Sequence, residues 1–370
     1  MKKQHPISPN GDRPRRVLIV RIGAMGDVLH AMPAVAALRQ RHPDWFIGWA
    51  IDPCWSKLLQ ASTGLEAISE RGPGMPLVDR CYRVPTREWK QQPVSLETLS
   101  SVRAVRRELL QEKFDLCVDM QGSIRSSMIG RMAGADRFAG YAEPRERPAR
   151  WMYRQKIRVN AAHVIEQGCE ILGAAVGEPL TPVKVELPTD NAAEIWRDEL
   201  LSQVAPEDKF VVIAPSAGWG AKQWPAERYG AVAAELARDG YVPLVNAAFS
   251  GDLLANAVVD ASGGTAVVVP CSVGQLIALT RRASLVIAGD TGPLHLAAAL
   301  ERPVVAVFGP TDPARNGPYG TRSRVLRHAS SRKDHTRHAE TEEGLMQITT
   351  DEVVSAAFDL LRSANQGKAR

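Results

Sequence analysis

The stretch from Ser284 to Pro313 holds the residues best suited to chemistry. Leu285 to Ala288 is a short apolar run, fit for a buried strand. Gly289-Asp290-Thr291-Gly292-Pro293 follows, and then Leu294 to Leu300, rich in the helix formers Leu and Ala. Pro303 stops that helix, and Val304 to Phe308 reads as the next strand. A strand, tight turn, helix, strand unit belongs to a parallel sheet, with its chemistry at the turn. Either Asp290 or Thr291 can cap the helix, and Pro293 suits its first turn. Gly292 lets the backbone come close to a ligand. Free N–H groups and the positive end of the helix dipole then favour a phosphate. The residues alone read equally well as an ordinary capped turn.

Two further stretches carry chemistry. Phe210 to Pro215 reads as a strand, followed by Ser216-Ala217-Gly218-Trp219-Gly220-Ala221-Lys222-Gln223-Trp224-Pro225 and a helix from Ala226 to Asp239. Small residues and a lysine at a strand end fit a diphosphate. Near the start, the strand Arg16 to Val20 runs into Arg21-Ile22-Gly23-Ala24-Met25-Gly26-Asp27 and then a helical run to Arg39. Strand, glycine turn and helix open a Rossmann-like domain. G-A-M-G-D is not the G-x-G-x-x-G fingerprint, which disfavours a nicotinamide oxidoreductase. Asp27 either caps its helix or stands free as a general base.

These motifs carry a family resemblance. D-T-G-P-L-H-L-A-A-A-L followed by F-G-P-T-D-P resembles the nucleotide-sugar signature of the ADP-heptose:lipopolysaccharide heptosyltransferases, glycosyltransferase family 9. R-I-G-A-M-G-D-V-L-H-A-M-P resembles that family's N-terminal motif, and K-x-W-P its diphosphate-binding lysine motif. The resemblance runs from about Val17 to Leu361. It implies a glycosyltransferase B fold, in which two Rossmann-like α/β domains face each other across a cleft. Asp27 would be the catalytic base that accepts the acceptor hydroxyl's proton. By its position one turn later, His30 reads as structural rather than catalytic, able to orient Asp27. Lys222 would neutralise charge on the leaving ADP.

The same resemblance implies the remaining contacts. Asp290 would touch the donor sugar, Thr291 and Gly292 would hold phosphate, and His295 would pack near the diphosphate. Ser216, Ala217 and Gly218 would line the donor loop; Ala217 and Gly218 stand where the family offers hydroxyls, which leaves binding to backbone N–H groups. Asp252 is the nearest acidic candidate for the ribose. Cys271 falls in the adenine pocket and reads as a small apolar residue. R-E-W-K resembles an acceptor segment of the heptosyltransferase I branch, so Arg87 and Lys90 would meet the acidic acceptor. D-M-Q-G-S-I-R-S brings Arg125 to the cleft. Arg145 belongs to a basic, aromatic segment, Glu143 to Arg158, near the acceptor or an anionic membrane surface.

The implied activity is inverting transfer of L-glycero-D-manno-heptose from ADP-heptose to 3-deoxy-D-manno-octulosonic acid (Kdo) of lipid A-Kdo2, in inner-core lipopolysaccharide synthesis. Heptosyltransferase II, or another hexosyl transfer of the family, is an alternative. Rivals of other classes are a nucleotide-sugar epimerase and a non-catalytic nucleotide-binding regulator. No D-x-D motif stands where a divalent ion would bridge the diphosphate, so neither metal nor cofactor is expected.

Composition and elements must now supply a frame. A chain of 370 residues is long enough for two domains. With 45% hydrophobic and 24% charged residues it has a globular composition, and no apolar run nears the ~18 residues needed to span a bilayer. Residues 1–15 lack a signal-peptide core and read as a disordered basic arm. A cytoplasmic protein, peripheral to the inner membrane and monomeric, is expected. The 5 cysteines form no C-x-x-C pair, so neither disulfides nor a zinc site are implied. A net charge of +5 fits an acidic partner, while no nucleic-acid motif is present.

Residues 16–180 are expected to form the acceptor domain. Prolines 179, 182 and 188 mark a linker. Residues 190–348 would form the nucleotide-sugar domain. Gly317 to His338 reads as irregular. A helix over 350–363, opened by T-D-E, would cross back to the first domain.

Overall fold

The computed structural model describes residues 15–61, 71–332 and 340–368. The arm expected over 1–15 lies outside them but for Arg15. The first half runs β1 (Arg16–Val20), α1 (Met25–Arg41), β2 (Phe46–Ile51), β3 (Arg80–Arg83), α2 (Thr86–Gln91), α3 (Leu96–Gln111), β4 (Leu116–Asp119), α4 (Ile124–Met132), β5 (Arg137–Tyr141), β6 (Gln155–Ile157) and α5 (Val164–Val176). The second half runs α6 (Asn191–Val204), β7 (Phe210–Ala214), α7 (Ala226–Arg238), β8 (Val242–Ala247), α8 (Leu253–Ala261), β9 (Val267–Pro270), α9 (Val273–Arg282), β10 (Leu285–Gly289), α10 (Gly292–Ala299), β11 (Val304–Phe308), α11 (Pro313–Asn316), β12 (Ser323–Arg327), α12 (Glu343–Gln347) and α13 (Thr350–Lys368).

The strands form two six-stranded sheets, ordered β3-β2-β1-β4-β5-β6 and β12-β11-β10-β7-β8-β9, and every pairing is parallel. Numbered within its own half, each has the order 3-2-1-4-5-6 of a doubly wound sheet. The central strands β1, β4, β7, β10 and β11 are continuous apolar runs because helices cover both faces of a parallel sheet. The two similar openings visible in the sequence are thus the first strands of two equivalent sheets.

This order fixes where ligands can sit. The order of winding reverses between β1 and β4 in the first sheet, and between β7 and β10 in the second. A crevice opens beyond the carboxyl ends of the strands at each such switch point. The three chemical stretches follow β1, β7 and β10, so all of them lie at switch points.

Several expectations are corrected. α13 packs against α7 and strands β10 to β12 of the second sheet, rather than crossing to the first. Its Val353, Ala356, Ala357, Leu360 and Leu361 join the core beside Tyr229 and Val211. The repeat explains why: α5 follows the sixth strand of the first sheet and packs on α1, and α13 follows the sixth strand of the second and packs on α7. The place beside α1 is already filled. The stretch read as irregular after Gly317 contains β12, and R-E-W-K lies in the short helix α2.

Candidate active site between the two sheets

The loop after β1 sets Asp27 in the first turn of α1. Its carboxylate pairs with Arg21 Nη2 at 2.9 Å and accepts the Ala24 N–H at 3.1 Å. Arg21 also donates Nε to the Asp27 carbonyl at 3.0 Å, and Nη1 to the Met120 carbonyl just past β4. One arginine thereby ties both sides of the first switch point. The Asp27 side chain remains 39% exposed, so the carboxylate is not turned into the core.

The loop after β4 is held from below by Asp119, a residue to which sequence reasoning gave no role. It is fully buried and accepts from the Gln121 and Gly122 N–H groups at 2.8 and 3.1 Å. It also accepts from the Ser126 and Tyr153 hydroxyls at 2.8 and 2.7 Å. Burial pushes its carboxyl above the usual range, although these four bonds favour the anion. Gln121, thus fixed, accepts the Ile22 N–H at 2.8 Å and braces the loop that carries Asp27.

At the second switch point Lys222 Nζ pairs with Asp290 Oδ2, and Asp290 Oδ1 meets His295 Nε2 at 3.2 Å. The Lys222 and Asp290 side chains are only 10% and 7% exposed. Burial disfavours the Asp290 anion, but its interactions with His295 and Lys222 outweigh it and hold the carboxyl well below the usual range. Lys222 also lies 4.2 Å from the Trp219 ring centroid. An ammonium has three donors, so pairing with Asp290 leaves Lys222 able to hold a phosphate oxygen.

Thr291 is the N-cap of α10, yet no side chain caps this helix; the Thr291 hydroxyl instead donates to the Gly289 carbonyl at 3.3 Å. Asp290 does not cap it either. By contrast Asp252 caps α8, accepting from Leu254 and Ala255 N–H at 3.0 and 3.2 Å, and Ser272 caps α9. Uncapped N–H groups beside a buried lysine can bind an anion.

The two switch points face each other. A Cβ on Gly26 would lie 2.6 Å from His295 Cδ2, and one on Gly292 would lie 2.6 Å from Met25 Sδ. Glycine is needed at both places because the first turns of α1 and α10 meet there. His30 on α1 reaches His295 on α10 across the same seam, Nε2 to Nδ1, at 3.1 Å. Leu276, Ile277 and Leu296 of the second half lie in the apolar cluster of the first.

The sequence candidates sort as follows. Asp27, Lys222, Asp290, Thr291, Gly292 and His295 are brought to the facing switch points. Ser216 and Gly218 are exposed and Ala217 half-buried in the loop after β7. Asp252, read as a ribose contact, is engaged as the α8 cap. The Cys271 Sγ accepts from Asn246 Nδ2 at 3.1 Å, and burial pushes its thiol up to about 12, which rules out a reactive thiolate at neutral pH. Expected to orient Asp27 from its place one turn on, His30 is turned instead to His295, because α1 docks that face against α10.

The four acceptor candidates lie on the C-terminal edge of the first sheet, all exposed. Arg87 sits 5.4 Å from the Trp55 ring centroid, and Arg125 Nη1 donates to Thr86 Oγ1 at 3.4 Å. Lys90 lies on α2 with Arg87. Arg145 neighbours Glu146, whose carboxylate accepts the Ile124 N–H at 2.9 Å and so ties this loop to the start of α4. Among the described residues no group of three His, Cys, Asp or Glu side chains is placed to hold a metal ion, and no helix is long and apolar enough to cross a membrane.

Comparison with known proteins bears on this geometry. The profile of glycosyltransferase family 9 (heptosyltransferase) matches residues 102–346, about two thirds of the chain. Lipopolysaccharide heptosyltransferase 1 of Escherichia coli K12 is 27% identical over 316 residues, covering 84% of this chain and 93% of that protein. The solved structure of E. coli heptosyltransferase WaaC with ADP aligns with a TM-score of 0.74 at 24% identity, over 93% of this chain and 99% of that one. E. coli ADP-heptose lps heptosyltransferase II aligns at 0.73 with 18% identity, over 95% and 99%.

Proposed function

We propose, from the premise that this chain belongs to glycosyltransferase family 9, that it moves L-glycero-D-manno-heptose from ADP-heptose to Kdo of lipid A-Kdo2 with inversion. The chain is a glycosyltransferase of the lipopolysaccharide heptosyltransferase family. The observation that carries the reading is the Lys222–Asp290 pair beside an uncapped helix, set against a loop whose carboxylate faces outward.

The diphosphate of the donor binds Lys222 and the N–H groups at the start of α10. Asp290 holds the lysine in place. The acceptor hydroxyl, beside Asp27, attacks the anomeric carbon from the face opposite the ADP. As the new C–O bond forms, the bond from the anomeric carbon to the diphosphate oxygen breaks and its electron pair leaves with ADP. Asp27 takes the hydroxyl proton late, when bonding has made it acidic. Arg21 keeps that carboxylate oriented. Lys222 and the helix N-terminus meet the negative charge on the departing ADP, with no metal required. Arg87, Lys90, Arg125 and Arg145 form a cationic rim for the carboxylates and phosphates of the acceptor, and this rim faces the cytoplasmic surface of the inner membrane.

The test is ADP release from a panel of nucleotide sugars, with and without lipid A-Kdo2. Turnover confined to ADP-heptose plus this acceptor supports the reading. Consumption of donor without acceptor would make the protein an epimerase or hydrolase instead. An acceptor requirement met only by a heptosylated core would move it to the heptosyltransferase II reaction.

A further inference from the structure

We propose that His30 is a positioning residue for the donor site: it holds His295 in the tautomer that donates to Asp290, and it does so only while the two halves are docked.

The hydrogen bonds dictate the proton positions. An ionised carboxylate only accepts, so His295 Nε2, 3.2 Å from Asp290 Oδ1, must carry a proton. In the Nε2–H tautomer Nδ1 is bare and accepts. The group facing it at 3.1 Å is His30 Nε2, which therefore donates. Lys222, Asp290, His295 and His30 form one chain from the donor lysine to a helix of the other half. His30 and His295 are 8% and 6% exposed, so their hydrogen bond lies at a largely buried seam. Burial, with His295, Arg21 and His163 nearby, holds His30 well below its usual pKa and keeps it neutral.

The bond is also conditional on docking. His30 and His295 lie 265 residues apart, on α1 and α10. Nothing outside the second half is needed to hold the Lys222–Asp290 pair, but His295 Nδ1 finds its donor only across the seam. When the halves part, Nδ1 loses this donor and the Nε2–H is no longer enforced. The donor site is therefore fully ordered in the docked state alone, which couples approach of the acceptor half to readiness of the lysine. The inference rests on the donor-site reading above.

Two measurements test it, both on the full-length protein. Ring 15N NMR of 15N-histidine-labelled protein with ADP should show His295 as the pure Nε2–H tautomer, and a mixed or Nδ1–H form in His30→Ala. Steady-state ADP release should show kcat falling about tenfold in His30→Ala, the worth of one hydrogen bond, with a much smaller change in donor KM. His30→Gln, whose amide can donate, should restore most of it. In a His295→Ala background His30→Ala should cost nothing further. An unchanged tautomer, or equal losses in both backgrounds, would overturn the proposal. Should His30→Ala fold poorly, His30→Gln and His30→Asn supply the same contrast, since only the longer amide reaches the ring's far nitrogen. If ADP bound no more weakly to Lys222→Ala than to the unaltered protein, the donor-site reading itself would be at fault; weakened ADP binding there, with His30 inert, would sink this inference alone.

Discussion

Asp27 and Asp290 occupy comparable places in two sheets of identical strand order, each beyond a switch-point strand and each beside a cation. They differ in what surrounds them. Asp27 is 39% exposed and shares Arg21 with two backbone carbonyls. Asp290 is 7% exposed, with both oxygens taken by Lys222 and His295. The same topology thus presents one carboxylate to an incoming molecule and closes the other into a support for a lysine. Solvent access and partner count, rather than residue type, separate a group that can exchange a proton from one that holds a charge in place.

The largest expected effect follows from the exposed member. Asp27→Ala should lower transfer by about 10²–10⁴-fold, the usual worth of a general base, while ADP affinity stays within about twofold. Calorimetric binding beside the ADP-release assay separates the two. Unchanged turnover would reduce Asp27 to a support like its counterpart and remove the contrast.

Asp290→Ala should instead act on stability. It leaves Lys222 buried without its partner, a loss of about 3–5 kcal/mol read from the urea midpoint, whereas Asp27→Ala breaks a part-exposed pair worth about 0–1 kcal/mol. Equal midpoints for the two variants would refute the buried-versus-exposed distinction.

The seam between the regions offers the next test. Gly26→Ala and Gly292→Ala each force a Cβ to 2.6 Å from an atom across it. Each should cost about 1–3 kcal/mol by overpacking, and the double variant less than the sum, because both push apart the same two helix turns. Additive losses in thermal unfolding would mean that the glycines act separately.

The smallest effect is in pH. His30 has a lowered folded pKa, so below the unfolded value of about 6.5 the unfolded chain binds the proton first and stability falls as pH falls. Asp290, with a depressed carboxyl, contributes stability above the unfolded carboxylate range that is lost only in stronger acid. Between pH 7 and pH 5, His30→Gln should flatten the decline in stability by up to about 1.4 kcal/mol per pH unit. A slope unchanged from that of the unaltered protein would assign the proton uptake to another group.

Much of the fold could be read along the chain, since β1, β7, β10 and β11 are apolar runs bounded by Gly or Pro. Asp27, Lys222, Thr291 and Gly292 were legible as candidates for the same reason, since each sits in or just after such a turn. β5, β6 and β12 were not. Arg137, Lys156, Ser323 and Arg324 interrupt their apolar pattern, and these strands exist because β4 and β11 offer β5 and β12 a hydrogen-bonding edge and β5 then offers one to β6. Asp252 showed as acidic, but its use as a cap became visible only with Leu254 and Ala255 in place.

The sequence by itself determined where strands give way to glycine turns, which turns could take a phosphate, and which carboxylate could serve as a base. Those properties depend on neighbours a few residues away. Only the tertiary structure decided that α13 stays with the second sheet, that Asp290 is sealed beneath Lys222, and that His30 is spent on His295. Each of these depends on which apolar surfaces remain uncovered once two sheets have formed, and a contact between residues 265 positions apart leaves no local pattern to read.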